Sequence, residues 1–418
     1  MAPGPILIFD KSALQSLTVD ESVWLDHFFL TNITPIFYVE TLADLEKVDP
    51  KGRAPEDVVA NMADKTPVFH PYPNVFHRTL LIQDLRGHPV AMTGQIMHAR
   101  GTPKTRSRWR QERPLRGAAG GRHDAAVAGA RLQGDRAASC SLLAHDAVGY
   151  RFNSKIAWAQ RLVPPGQKIA SLADAKAFAD AFVATAGREV LTFAGQFLEI
   201  PDEQWGVIER RFADAGRPAL KDFAPYAAFV LTIDLVFYLG MGIRQIGTER
   251  PSNRIDVAYL YYLPFCMVFV SGDNLHARLA PLFLRPNQEF VKSADLKAGL
   301  KQLNEHYAQH RADIERMGVM TYASEPPADV PTIVTTLWDR LLLKRDRPAG
   351  EREPGTTPPS NDELLRRIKH ITESEPNEAD AAWQGEPDSV VLRHDPLRRG
   401  SWRLVPEGAE TRGRPTHD

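Results

Sequence analysis

Cysteine is nearly absent from this 418-residue chain. Only Cys140 and Cys266 occur, so neither a disulfide framework nor a zinc site of the CxxC type can form. The amino-terminal end has no basic segment, and its apolar run, residues 6–9, is too short for a signal peptide. These absences exclude secreted, disulfide-rich proteins and predict a cytoplasmic protein of a reducing compartment.

A charge excess of either sign is also missing. The chain has 51 basic and 52 acidic residues, which gives a formal net charge of −1. A protein with this balance has no overall attraction to nucleic acid. Binding to RNA or DNA would therefore need a local basic surface.

Long hydrophobic runs are scarce, and only residues 223–241 are apolar enough to raise the question of a membrane span. Asp234 lies near the middle of this segment. A charge at the centre of a bilayer costs on the order of 3 kcal/mol on insertion scales. We therefore predict a buried core helix here and no association with a membrane.

Short apolar runs alternate with helical patterns in the rest of the chain. Residues 5–9 and 35–39 predict strands, and residues 80–84 and 90–97 predict a hairpin. The alternation predicts an α/β protein with three α/β/α layers and a mainly parallel central sheet.

We expect one domain over residues 1–344. Its core would come from residues 1–50 and 224–344, and residues 51–223 would form a mainly helical insertion.

Two segments depart from this globular composition. Residues 106–148 are dominated by Arg, Ala and Gly, and are either a flexible basic insertion or a stretch of a GC-rich gene read out of frame. Residues 345–418 are rich in Pro, Glu and Arg and predict a disordered tail. Within the tail, residues 362–371 place leucines and isoleucines on one helical face, which predicts docking onto the domain or onto a protein inhibitor or partner.

Four acidic residues share one placement, at the end of a predicted strand or in the first turn of a predicted helix. They are Asp10, Glu40, Asp256 and Asp273. The carboxyl ends of parallel strands meet at one edge of a sheet, so acids from distant parts of the chain can share one crevice there.

Each acid alone could have a structural role. Asp256 follows Asn253 by three residues, the spacing of a capping box, and Asp10 could be a turn residue. Together, the four carboxylates repel one another unless a cation neutralises them, and oxygen ligands select Mg²⁺ or Mn²⁺. We therefore expect Asp10→Asn to raise stability in the absence of metal.

These segments resemble a known nuclease family. Ile-Leu-Ile-Phe-Asp10 looks like the first strand and first acid of PIN-domain nucleases, and Tyr-Val-Glu40 looks like their second acid. The segment from Asn253 to Asp273 is similar to the helix, strand and last two acids of that family, with Asp256 as the third acid. The separation of Glu40 and Asp256 is much longer than in compact PIN domains.

The resemblance implies a metal-dependent endoribonuclease that cuts RNA, or single-stranded DNA, with Mg²⁺ or Mn²⁺ held by the four acids. Ser12 and Ser271 would support the ligands by hydrogen bonds. Asp44, one helical turn after Glu40, would add a further carboxylate.

Functions from other classes are also open. The alternative that we retain is a non-catalytic PIN-like binding or scaffold protein, because a protein can keep the fold of an enzyme family without its activity. A dehalogenase-type phosphatase would need an aspartate where Ser12 stands, and the chain has no glycine-rich phosphate loop of the GxxxxGK[ST] type.

Overall fold

The computed structural model describes residues 4–43, 52, 54–68, 71–95, 149–248, 252–342 and 398–405. Asp44, the atypical segment 106–148 and the helix predicted at 362–371 lie outside the described residues.

A five-stranded sheet and a two-stranded hairpin organise the described residues. The strands are β1 (Ile6–Phe9), β2 (Leu30–Ile33), β3 (Pro71–Pro73), β4 (Val268–Ser271), β5 (Glu289–Lys292), β6 (Arg398–Arg399) and β7 (Trp402–Arg403).

Helices make up most of the remaining described chain. They are α1 (Lys11–Ser16), α2 (Val19–Phe28), α3 (Pro35–Ala43), α4 (Pro55–Lys65), α5 (His77–Leu85), α6 (Gly149–Arg161), α7 (Leu172–Val183), α8 (Arg188–Phe197), α9 (Asp202–Asp214), α10 (Leu220–Phe223), α11 (Pro225–Gly242), α12 (Asn253–Leu260), α13 (Asn274–Leu279), α14 (Ser293–Ala308), α15 (Arg311–Met317), α16 (Val319–Tyr322) and α17 (Ile333–Leu341). Single 3-10 turns follow α12 and α13 at Leu263–Phe265 and Ala280–Leu282.

The sheet has the order β3-β2-β1-β4-β5, and every neighbouring pair is parallel. All residues of β1 and β4 are buried, so both faces of the central strands are covered, as their unbroken apolar sequences require. The expectation of a mixed α/β protein with a parallel sheet is confirmed, and the arrangement is compatible with three α/β/α layers.

The strand order reverses between β1 and β4. The chain passes outward from β1 to β2 and the short edge strand β3, and later continues on the other side of β1 with β4 and β5. Ligands of open α/β sheets bind outside the carboxyl ends of the strands at such a reversal. The crevice beyond the ends of β1 and β4 is therefore the place where a site is expected.

Helix α11 is the longest helix of the described residues and is almost entirely buried. It packs against α5, α6 and α7. Among the described helices it is the one long and apolar enough to cross a membrane by length and composition, but 83% of its apolar window is buried inside the protein. Asp234 in this helix is paired with Arg254, with 3.2 Å between Oδ1 and Nη1.

The strand predicted at residues 35–39 is wrong, because this segment is part of α3. The strand lies just upstream, at β2. Pro35 suits the first turn of a helix, since it lacks an amide hydrogen and has a fixed φ. Thr34 assists the start, because its hydroxyl accepts a hydrogen bond from the Phe37 amide at 3.3 Å.

The hairpin predicted from residues 80–84 and 90–97 is also wrong. Residues 80–84 belong to α5, where Leu80 and Leu81 are buried against the core. A short apolar run fits a strand and a buried helix equally well, so periodicity could not decide. Asp84 in this helix accepts hydrogen bonds from the amides of Tyr226 and Ala227 at 2.7 and 3.0 Å, at the start of α11.

The range assigned to a helical insertion contributes to the sheet itself. Strand β3 lies within residues 51–223 and pairs with β2, with Asn32 beside Tyr72. It is three residues long and has a proline at each end, features that suit a strand at the edge of a sheet.

The expected disordered tail contains an ordered hairpin at its far end. Strands β6 and β7 pair in antiparallel fashion, and Trp402 is buried with its ring centroid 5.0 Å from that of Trp24. Trp402 Nε1 donates a hydrogen bond to Asn304 at 2.9 Å. Composition alone did not reveal this hairpin, because residues far away in the sequence supply its stabilising contacts.

Arg399 anchors the hairpin by an ion pair that is buried on both sides. Its Nη1 lies 3.0 Å from Oδ2 of Asp26, and the two side chains are 5% and 1% exposed. The guanidinium also donates to the Ser22 hydroxyl and to the carbonyls of Asp64 and Thr66. Removal of one partner of such a pair leaves a buried charge without compensation.

We therefore expect Arg399→Ala to lower the free energy of unfolding by about 3 kcal/mol. The matched control is Arg398→Ala, since Arg398 pairs with Glu315 at the surface and its loss should cost less than about 1 kcal/mol. Denaturant unfolding of both variants measures the difference. Equal losses would contradict a buried anchoring role for Arg399.

Candidate active site

Asp10 lies directly after β1 and caps the start of α1. Its carboxylate accepts hydrogen bonds from the Ala13 amide at 2.7 Å, the Ser12 hydroxyl at 2.9 Å and the Ser271 hydroxyl at 2.5 Å. The residue is 4% exposed. Ser12 and Ser271 thus contact Asp10 directly, as the sequence had suggested for supporting residues.

His276 fixes the position of Asp10 from the other side. This buried side chain lies in α13, with Nδ1 at 2.7 Å from the Ser271 hydroxyl and 3.4 Å from Oδ2 of Asp10. Its Nε2 is 2.6 Å from the backbone carbonyl of Asp256, so Nε2 must carry a hydrogen. One imidazole therefore connects β1, β4 and α12.

Glu40 reaches the same region from α3. Its Oε2 accepts a hydrogen bond from the Tyr259 hydroxyl at 2.8 Å, and its Oε1 lies 3.4 Å from Nζ of Lys11. Lys11 follows Asp10 in the sequence, and Tyr259 lies one helical turn after Asp256. These two contacts join Glu40 to the segments that carry the first and third acids.

Asp273 follows β4 and caps α13. Its carboxylate accepts a hydrogen bond from the Leu275 amide at 2.5 Å, and its own amide donates to the Ser271 hydroxyl at 2.9 Å. Asp256 is different, because it is the fourth residue of α12, and the capping residue Ser252 makes no side-chain cap bond. Helix capping therefore accounts for some of the hydrogen bonds of Asp10 and Asp273, but it does not account for the position of Asp256.

The charges of Asp10 and His276 stabilise each other. Burial by itself would raise the pKa of Asp10, but the hydrogen bond and charge of His276, with Ser271 and Ala13, lower it below the ordinary value. Burial by itself would lower the pKa of His276, whereas Asp10 and then Asp256 raise it. Asp10 is thus a carboxylate with an internal counter-ion.

The environment of Asp256 shifts its pKa in the direction opposite to that of Asp10. The pKa of Asp256 is raised to about 7, chiefly by burial; the charge of His276 opposes this rise, and the charges of Asp273, Glu40 and Asp10 add to it. The charge of each of the other three acids therefore acts on Asp256. Their combined negative charge is only partly offset by Lys11 and His276.

A divalent cation is chemically suited to this set of donors. All four acids offer hard oxygen atoms, and a cation close to Asp256 would remove the repulsion that raises its pKa. Among the residues that the structure describes, no group of three His, Cys, Asp or Glu side chains is arranged to hold an ion directly. Mg²⁺ usually keeps several waters and uses one or two carboxylates, so water-mediated binding fits this spacing better than a cage.

Sequence reasoning found the four acids and two serines but missed three residues of the network, His276, Lys11 and Tyr259. Lys11 and Tyr259 lie beside Asp10 and Asp256 in the sequence, so a search of their neighbours could have found them. His276 had a weaker signal, its position three residues after Asp273.

Comparison with known proteins adds no assignment. No family model matches the chain, and no match was found among curated proteins or among solved structures. The description of the site therefore depends on its own geometry and chemistry.

The two aspartates should respond oppositely to removal of their charge. The folded pKa of Asp256, about 7, lies above its unfolded value of about 3.9, so its stabilising contribution is present below pH ~4 and is lost as the pH rises through 7. Asp256→Asn should then raise stability at pH 8 by about 1–2 kcal/mol, with allowance for partial exposure, and change little at pH 4.

Asp10→Asn serves as the matched variant. The folded pKa of Asp10 is lowered, so its charge stabilises the protein above the unfolded pKa, and loss of that charge should reduce stability at pH 8. Repulsion among the carboxylates alone predicts that Asp10→Asn raises stability. That prediction does not include His276, whose charge stabilises the Asp10 carboxylate. Unfolding curves at both pH values give the signs, and a stabilised Asp10→Asn protein would contradict this division of charge.

Proposed function

We propose that the chain is a PIN-like, divalent-metal-dependent endoribonuclease of the cytoplasm. The observation that carries this proposal is the convergence of four acidic residues, from segments far apart in the sequence, in one network at the reversal of the strand order. The carboxylates of Asp10 and Glu40 contact Ser271, Tyr259 and Lys11, whereas Asp256 and Asp273 join the network through a backbone carbonyl bonded to His276 and a backbone amide bonded to Ser271. The charges of Asp10, Glu40 and Asp273 also act on the Asp256 carboxylate.

The three part-exposed acids, Glu40, Asp256 and Asp273, would hold Mg²⁺ or Mn²⁺ mainly through the waters bound to the ion. Both oxygens of Asp10 already accept hydrogen bonds, so Asp10 would contribute mainly charge and orientation. When bound, the ion would activate a water and neutralise charge on the phosphate. Ser12 and Ser271 would keep the carboxylate of Asp10 in place.

The contacts of the other residues would serve to hold these ligands before substrate arrives. Tyr259 restrains Glu40, and His276 binds the backbone of Asp256 to β1 and β4. Such preorganisation reduces the rearrangement needed when charge develops in the reaction. The buried hydrogen bonds of this network thus have a role in the proposed chemistry.

A non-catalytic binding or scaffold protein is the second candidate. The observation that favours it is the internal pairing of two acids, Asp10 with His276 and Glu40 with Lys11, which reduces the charge available to a metal. Under that function the network would simply hold the crevice together. The two candidates differ in whether the purified protein cleaves RNA at all.

Substrate and partner remain part of the proposal. Phosphodiester hydrolysis by such a site suits RNA, or single-stranded DNA, as the substrate. An inhibitor or other protein partner could dock on the helix predicted at residues 362–371, which lie outside the described residues.

We expect purified protein to cut RNA with Mg²⁺ or Mn²⁺ and to lose activity on chelation. Asp256→Asn and Asp273→Asn should each lower the cleavage rate by about 100-fold or more, since each removes a ligand charge. The matched control is Glu305→Gln on the exposed side of α14, which should leave the rate unchanged. Gel assays of 5′-labelled RNA measure the rates. Full activity in both aspartate variants would contradict the proposed metal site, and no cleavage by the wild-type protein would leave the scaffold function as the better account.

A further inference from the structure

A second polar region lies behind the candidate active site. Arg254 and Asp256 are two residues apart in α12, so their side chains point to opposite sides of that helix. Arg254 and the Tyr261 hydroxyl both bond Asp234 of α11. An inner cavity is lined here by these three residues together with His77, Arg78 and the Lys155–Glu199 pair.

An outer cleft, open to solvent, shares two of its lining residues with this cavity. Its volume is about 420 Å³, which lies within the range of small-molecule sites. It is formed by α6 and the connection between α8 and α9, with Trp158, Gln196 and Asp202 among its lining residues. Lys155 and Glu199 line both spaces, and their charged atoms are 2.9 Å apart.

The aromatic side chain at this cleft is unusually accessible. Trp158 is 38% exposed and, within the described part of the chain, shares that property among large hydrophobic residues with Val207 alone. A flat exposed indole beside polar groups is suited to stacking against an aromatic ring. Val207 lies outside the lining of the cleft, so it provides a natural control.

Glu199 occupies a backbone position that normally favours glycine. Its φ is 55°, and the Ile200 amide donates to the Gly195 carbonyl at 2.8 Å, as in the Schellman ending of a helix. A side chain at such a position strains the backbone. Glu199 has this strained backbone conformation, and it is the same residue that lines both the cavity and the cleft and pairs with Lys155.

Charge changes sign from the rim of the cleft to its interior. Asp202 and Glu199 make the outer part acidic, whereas Arg78, Lys155 and Arg254 outnumber the acids deeper inside. The Nδ1 atom of His77, which lines the inner cavity, is buried and has no hydrogen-bond partner among the residues that the structure describes. A ligand that fits would combine an aromatic ring, an outward hydrogen-bond donor and an inward anionic group.

We propose that this cleft binds a nucleoside 5′-monophosphate group whose base carries an exocyclic amine. The base would stack on Trp158, the amine would donate to Asp202, and the phosphate would lie beside Lys155 at the inner end. Phosphate binding would draw Lys155 from Glu199, and a phosphate oxygen or its bound water could satisfy the Nδ1 atom of His77. The inference does not depend on the proposed nuclease activity.

The test is isothermal titration calorimetry on the full chain without divalent metal. We expect binding of 5′-CMP, about tenfold weaker binding of 5′-UMP, which lacks the amine, and about tenfold or greater weakening by Trp158→Ala. Lys155→Gln should also weaken binding, whereas Val207→Ala should not. Absence of CMP binding, equal affinity for UMP, or unchanged affinity in Trp158→Ala would overturn the proposal.

A further variant separates this inference from the nuclease proposal. Asp256→Asn should keep the wild-type affinity for CMP even if it abolishes cleavage, because Asp256 lies on the other side of α12. A 5′-phosphorylated oligocytidine distinguishes the source of the group. Tighter binding than CMP that is lost in Trp158→Ala assigns the site to a strand end, and binding no tighter than CMP assigns it to a free nucleotide.

Discussion

The candidate site depends on one buried imidazole. His276 connects the Ser271 hydroxyl, the carboxylate of Asp10 and the backbone carbonyl of Asp256, and so links β1, β4 and α12 where the strand order reverses. Removal of this ring would leave Asp10 buried without its counter-ion and would release one end of α12. The relative positions of Asp10 and Asp256 both depend on this ring.

The same contact divides the four acids into two kinds. Asp10 is stabilised as a charge by His276, and Glu40 is held by Tyr259 and Lys11, whereas Asp256 bears the remaining repulsion. Under the proposed function, one added cation would offset this repulsion without a cage of four equivalent ligands. Because Asp10 and Glu40 have internal partners and Asp256 does not have enough positive charge near it, substitutions of these acids should have different effects. The hydrogen bonds of the site can thus be complete although its negative charge is not balanced.

The sequence predicted the parts of the fold that local chemistry determines. The apolar runs that end at Asp10 and Asp273 lie at β1 and β4, because buried parallel strands need unbroken hydrophobic sequence. It failed for α3 and α5, where short apolar runs fit a helix as well as a strand. The role of His276 and the docking of Arg399 could not be predicted, because each depends on partners brought near only by the complete fold.

The most direct test of the central claim is the location of Mn²⁺ by anomalous scattering in crystals of the full chain at pH 8. The account predicts one peak beside Glu40, Asp256 and Asp273, and loss of that peak in Asp256→Asn. A crevice that binds no Mn²⁺ at saturating concentration would contradict it. Binding is the right measurement because it does not depend on knowing the substrate.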